Sequence, residues 1–211
     1  MTEQTARSVL TRRRIDTTET RVQNSVTTIG GTVRSNYRIY GAWMDESSFA
    51  VETGANTRGV GSSGAGALGD LTGSAPAADA TWRGLMVGTG AQDGNNLLQG
   101  NEACAVFAGR SCAPDLPQRD NLLQGDATLT FTAADNQIDA TFSDIKNLDR
   151  NTAHSVTEVR FRDVPVRNNG RYRQGAGADK IEGAFYGTGH AETAGVFEQQ
   201  GIVGAYGAKK Q

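Results

Sequence analysis

The sequence predicts an all-β fold: an antiparallel up-and-down β-barrel of eight or nine strands, preceded by a polar N-terminal arm. Three observations carry this expectation. Glycine numbers 27 and proline 4 among 211 residues, with 37% apolar and 21% charged content, which suits short strands and turns better than long helices. Period-two alternation of apolar and polar residues recurs, most cleanly over residues 127–143. Finally, the strand candidates follow one another so that all successive neighbours can run antiparallel. Such a sheet exposes its edges unless it closes, and closure makes a barrel. A two-sheet sandwich satisfies the same pattern.

Residues 1–36 are polar, with Arg12, Arg13 and Arg14 in a row, and read as a flexible or peripheral arm. The first 25 residues hold no apolar core of the kind a secretory signal carries. A single barrel domain is expected over residues 37–211. Its first strand pair is Tyr37–Met44 and Ser48–Glu52, joined by Asp45-Glu46-Ser47. Residues 54–79 read as a Gly/Ser/Ala-rich loop with almost no large apolar residue to bury. A strand returns at residues 81–87.

The hairpin at 127–143 places Leu129, Phe131, Ile138, Ala140 and Phe142 on one face, with Ala133-Ala134-Asp135-Asn136 as its turn. The strand at 155–162 directs Thr157, Val159 and Phe161 inward and Glu158, Arg160 and Arg162 outward. Residues 180–210 form three strands, split by Gly187-Thr188-Gly189-His190 and by Gln199-Gln200-Gly201. A small barrel's interior is filled by its own side chains, so binding falls on end loops or the outer face.

The pentapeptide Asn96-Leu97-Leu98-Gln99-Gly100 recurs unchanged as Asn121-Leu122-Leu123-Gln124-Gly125. The insert at 96–120 holds both cysteines and two of the four prolines, as a local duplication at a barrel turn would. Cys104 and Cys112 flank Gly109, and a disulfide between them is the favoured reading, worth roughly 2–3 kcal/mol. A reduced pair comes next. Metal ligation ranks last, since a lone C-x7-C lacks the second ligand pair of a zinc site.

A net charge of −2 makes no case for nucleic acid or an anionic membrane surface. No window approaches the ~18 apolar residues of a membrane-spanning helix. The two histidines, His154 and His190, stand in no ligand-spaced motif and beside no nucleophile with an orienting carboxylate. His190 is the candidate ligand-binding residue. It is either a turn residue satisfied by backbone or an axial ligand to metal or haem, with Glu192 or a tyrosine assisting. Gly64-x-Gly66-x-x-Gly69 matches the dinucleotide fingerprint in letters, without the strand before it or the helix after it. Arg160, Arg162, Arg167, Arg171 and Arg173, with Tyr172 among them, form either the solvated face of a strand and loop or a docking surface for an acidic protein.

One further set of residues carries a resemblance. Gly183-x-Phe185-Tyr186-Gly187, Ala191-Glu192-Thr193-Ala194-Gly195-Val196-Phe197 and Gly204-Ala205-Tyr206-Gly207-Ala208-Lys209 close the chain. Tyr40-Gly41-Ala42-Trp43, Thr81-Trp82-Arg83-Gly84 and Gln124–Thr130 precede them. This ordered set resembles the β-barrel domain of transferrin-binding protein B and the bacterial transferrin-binding protein-like solute-binding proteins, over roughly residues 37 to 210. The family's fullest turn pattern has two adjacent glycines where this chain has Ala194-Gly195.

The resemblance implies a non-enzymatic binding protein of the outer membrane surface or the secreted space. Its partner would be an iron-carrying protein, haem or another solute, in the service of iron acquisition, and no bound cofactor is implied. It does not extend to ligand contacts, because the shared residues build the barrel. Larger members pair barrel and handle domains, whereas this chain has room for one barrel. An exported family sits against an N-terminus with no secretory core: either the export signal has been removed or mis-annotated, or this copy is cytoplasmic, and the first reading is favoured because it also suits a disulfide. Two alternatives stand behind it: a structural barrel that packs on a partner, and, ranked lowest, an enzyme working through His190.

Overall fold

In a computed structural model, which describes residues 13–15, 18–29, 32–56, 61–90, 122–148 and 151–211, no described residue is helical. Two antiparallel sheets account for the described strands. The first is a meander of β1 (Arg13–Ile15), β2 (Thr18–Ile29), β3 (Thr32–Trp43), β4 (Ser47–Asn56) and β5 (Gly61–Gly69), in that spatial order. The second contains β6 (Ala80–Gly90), β7 (Leu122–Thr132), β8 (Gln137–Asn147), β9 (Thr152–Ala153), β10 (Glu158–Pro165), β11 (Arg171–Ala176), β12 (Asp179–Tyr186), β13 (Glu192–Gln199) and β14 (Ile202–Lys210). Its order is β10-β8-β7-β6-β14-β13-β12-β11, with β9 beside β8. The last strand thus pairs with the first of this sheet in chain order, Tyr206 opposite Met86, a long-range pairing no local pattern reveals.

The β7–β8 hairpin forms as expected, with Thr132 opposite Gln137 across the turn 133–136. Leu129, Phe131, Ile138, Ala140 and Phe142 are all buried, and Thr130 and Asp139 face out. The β13–β14 hairpin turns on Gln200 and Gly201, both at positive φ (52° and 78°), which matches the right-handed twist of the strands.

These strands wrap around one core. Phe142 of β8 and Phe197 of β13 stack with ring centroids 4.3 Å apart, although their strands lie four places apart in the sheet. In a flat sheet that separation is about 19 Å at ~4.8 Å per strand. Trp82, Phe131, Tyr172, Phe185 and Tyr206 pack in the same core, among aliphatic side chains from the other strands.

The expected continuous ring of paired strands is not found, because the nine-stranded sheet is open between β10 and β11. These two strands meet at one bridge, Val166 opposite Tyr172. A bulge between Phe161 and Val164, with Asp163 at φ 54°, bends β10 away from a regular ladder. The Gln174 side-chain amide then donates to the Arg162 carbonyl at 3.0 Å, in place of a backbone N–H.

Three element-level expectations are corrected. Residues 37–52, expected to open the barrel, belong instead to the separate five-stranded sheet. Part of the expected 54–79 loop is strand, since β4 runs to Asn56 and β5 occupies Gly61–Gly69. Part of the expected arm is strand too, in β1, β2 and the start of β3. Thr157, expected inward, is exposed.

Tyr40, Ala42, Phe49 and Val51 of the smaller sheet pack against Leu85, Val87, Leu122 and Ala205 on the outside of the curled sheet. Hence β6 is buried on both faces, Met86 inward and its neighbours Leu85 and Val87 outward. The unbroken apolar run Leu85-Met86-Val87 is the sequence mark of such a strand.

Candidate binding site

The recognised closing motifs build a polar chain inside the core. The Tyr206 hydroxyl donates to the Tyr172 oxygen (2.8 Å), and the Tyr172 hydroxyl meets Thr193 Oγ1 (2.7 Å). Thr193 Oγ1 in turn donates to the Ala184 carbonyl (2.9 Å), which makes Tyr172 the donor to Thr193. Burial raises the pKa of Tyr172 and of Tyr206, so both remain neutral phenols. Gly183 and Gly195 leave the space these hydroxyls occupy, for a Cβ at either position would collide with the Tyr206 hydroxyl. The motif glycines therefore serve packing.

His190 lies in the turn between β12 and β13 at φ 61°. Its Nε2 is 2.9 Å from the Ser74 carbonyl, which can only accept, so Nε2 carries a proton there. Its own carbonyl accepts from Trp82 Nε1 at 2.8 Å, and its ring sits edge-on to Phe185 at 5.6 Å. His190 thus ties the segment after β5 to the curled sheet. An iron or other metal bound through Nε2 would displace the Ser74 hydrogen bond. His154 is buried far along the chain, its Nδ1 accepting from Val156 N–H at 3.1 Å.

Glu192 does not assist His190. It is 2% exposed, and its carboxylate accepts from the backbone N–H of Asp45 (2.9 Å) and of Glu46 (3.1 Å) and from Ser47 Oγ (2.8 Å). Three donors satisfy a buried carboxylate that otherwise would be costly to desolvate. The effect is a clamp: β13 of the curled sheet grips the β3–β4 turn of the smaller sheet. Lys209 Nζ reinforces it on Asp45 Oδ2 at 2.8 Å. Nothing in the spacing of Glu192 announces this role. Its signal is a carboxylate inside the doubly buried run Glu192–Phe197.

One recess adjoins the clamp and another lies on the smaller sheet. A polar one of about 440 Å³ lies among Asp45, Glu46, Thr188, Lys209 and Lys210. An apolar one of about 380 Å³ lies on the outer face of the smaller sheet, between Trp43 and Leu68. Trp43 and Leu68 stand either side of Ser48 in register, 49% and 76% exposed, and Gly64 and Gly66 form a flat floor beside them. The three glycines of the fingerprint-like run lie along β5 and mark no phosphate-binding turn.

The five arginines are all exposed, whereas Tyr172 points into the core and takes no part in that surface. Among the described residues no group of three or more His, Cys, Asp and Glu is placed to hold a metal. Cys104, Cys112 and the first copy of the repeated pentapeptide lie outside the described residues.

No family model matches the sequence, and no curated protein matches it. Solved structures do. The chain is similar to intact Ap-TbpB with its N and C lobes, at 12% identity and a TM-score of 0.42, over 95% of this chain and 41% of that one. It is also similar to the N-lobe domain of lactoferrin binding protein B of Moraxella bovis, at 15% identity and a TM-score of 0.40, over 91% of this chain and 80% of that one. The chain thus spans well under half the length of the intact protein.

Proposed function

We propose that this chain is a non-enzymatic binding protein of the cell surface or the secreted space, which captures an iron-carrying protein, haem or another solute. The observation that carries the reading is the placement of the motifs resembling transferrin-binding protein B barrels. Gly183–Gly187, Ala191–Phe197 and Gly204–Lys209 lie on three adjacent strands, and Thr81–Gly84 lies on the strand paired with the last of them. In this reading β10, β8, β7, β6, β14, β13, β12 and β11 act as an eight-stranded barrel whose last seam is bridged by side chains. Its interior is packed with aromatic rings, so a partner meets the outer faces and end turns.

A protein partner suits these surfaces better than haem held by His190, because Nε2 of that residue already serves Ser74. The Cys104–Cys112 disulfide belongs to the same reading, as the closure of a surface loop on an exported chain. The test is a binding panel of transferrin, lactoferrin, haemoglobin and free haem against the immobilised full chain. Capture of at least one is expected; a chain that binds none of them overturns the reading.

A further inference from the structure

The arginines singled out in the sequence fall along one line of the fold. Arg160 and Arg162 lie on β10, Arg171 and Arg173 on β11, and Arg167 in the turn between them. All are exposed and border the seam where the curled sheet is open. Arg160 pairs with Glu158 at 2.7 Å and Arg173 with Glu182 at 3.2 Å. Arg162, Arg167 and Arg171 have no carboxylate partner among the described residues. Counting Asp163 as well, β10, β11 and the turn between them hold five guanidinium groups against two carboxylates, in a chain of net charge −2, with Glu182 on the neighbouring strand. Positive charge is therefore concentrated here against the overall balance.

From Arg160 to Arg167 the stripe runs at most about 23 Å at ~3.3 Å per residue. It is two strands wide, on a convex surface flanked by Asp139 and Glu182. A flat anionic membrane would press on those acids as well, whereas a single extended chain along the seam avoids them. The seam adds backbone chemistry. Its ladder ends at the Val166–Tyr172 bridge, and the Arg162 carbonyl beyond it is served by the Gln174 side chain. An extended segment laid there meets strand edges with hydrogen-bonding capacity, as in strand addition.

We propose that the β10–β11 seam docks an extended acidic polypeptide segment, with Arg162, Arg167 and Arg171 as the principal contacts. The inference rests on the binding-protein reading and names a surface for it. The test is fluorescence anisotropy of a labelled poly-L-glutamate peptide titrated with the full chain, with phosphatidylglycerol vesicles run in parallel. Binding to the peptide is expected, weakening as salt is raised. The triple variant Arg162→Glu/Arg167→Glu/Arg171→Glu should lose roughly tenfold or more in affinity. The milder Arg162→Gln/Arg171→Gln guards against misfolding and should show a smaller loss, while Arg83→Glu, on the distant β6, should show none.

No binding of the peptide by the wild-type chain overturns the proposal, as does equal loss with Arg83→Glu or tighter binding to vesicles than to peptide. Capture of transferrin or lactoferrin without poly-glutamate binding removes this surface and leaves the binding-protein reading standing. Poly-glutamate binding with no capture from the panel does the reverse.

Discussion

The curled nine-stranded sheet and the five-stranded sheet laid against it are held together by different means. The first encloses a core of aromatic rings, Phe142 stacked on Phe197 with Tyr206 5.0 Å from Phe142, and each hairpin brings more apolar surface to the same centre. The second contributes Tyr40, Ala42, Phe49 and Val51 to a thinner apolar layer, and its turn is gripped by one buried carboxylate. The difference teaches where each region's stability resides. One depends on summed burial that no single polar contact controls. The other depends on a few contacts, so a single polar group weighs heavily.

The largest effect expected from this comparison is in the aromatic core. Phe142→Ala should cost about 3–5 kcal/mol, read from urea unfolding, because it removes the ring shared by Phe197, Phe161 and Tyr206 and leaves a cavity. A loss under ~1 kcal/mol would mean that the ring stack is not central to the core.

Next is the clamp. Glu192→Ala should cost roughly 2–4 kcal/mol, since it strands the Asp45 and Glu46 N–H groups and Ser47 Oγ. Glu192→Gln, which keeps one acceptor oxygen, should recover part of that loss. Equal damage from both would assign the effect to charge and not to acceptor geometry.

Smaller again is the tyrosine chain. Tyr172→Phe should cost about 1 kcal/mol in neutral solution. Its sharper signature is alkaline. Burial raises the pKa of Tyr172 and Tyr206 in the folded state, so the folded chain holds these protons more tightly than the unfolded one. Their contribution is full below pH about 10, the unfolded value, and is lost as pH climbs above it. The variant should therefore lose stability less steeply above pH about 10 than the wild type does, in circular-dichroism melts.

Smallest is His190→Ala, about 0.5–1.5 kcal/mol for a lost hydrogen bond to Ser74. A Soret band on adding haem that vanishes in this variant would contradict the pinning role and make His190 a ligand.

The same contrast governs what the sequence reveals. The β7–β8 hairpin is legible because Leu129 and Phe131 alternate with Thr128 and Thr130, one face buried and one wet. The closing strands are legible through their turn residues. β5 is hidden, because Gly61–Gly69 offers only Ala65 and Ala67 to the smaller apolar layer and so shows no apolar alternation. β11 is hidden in a basic stretch, where Tyr172 alone marks the inward face between Arg171 and Arg173. The division into two sheets is a tertiary fact. It leaves one local trace, strands buried on both faces at Leu85–Val87 and Glu192–Phe197. Of the candidate site residues, His190 was visible as a turn residue, but its partner Ser74 lies 116 positions away. The clamp on Glu192 spans a similar distance to Asp45, Glu46 and Ser47.

The central claim is that two sheets of unlike construction, packed through one thin apolar layer, are clamped at Glu192. Hydrogen exchange on the wild type and on Glu192→Ala tests it most directly. The account predicts faster exchange across β3 and β4 in the variant, with β7 and β8 as protected as before. Equal loss of protection in both sheets, or none in β3 and β4, would contradict it.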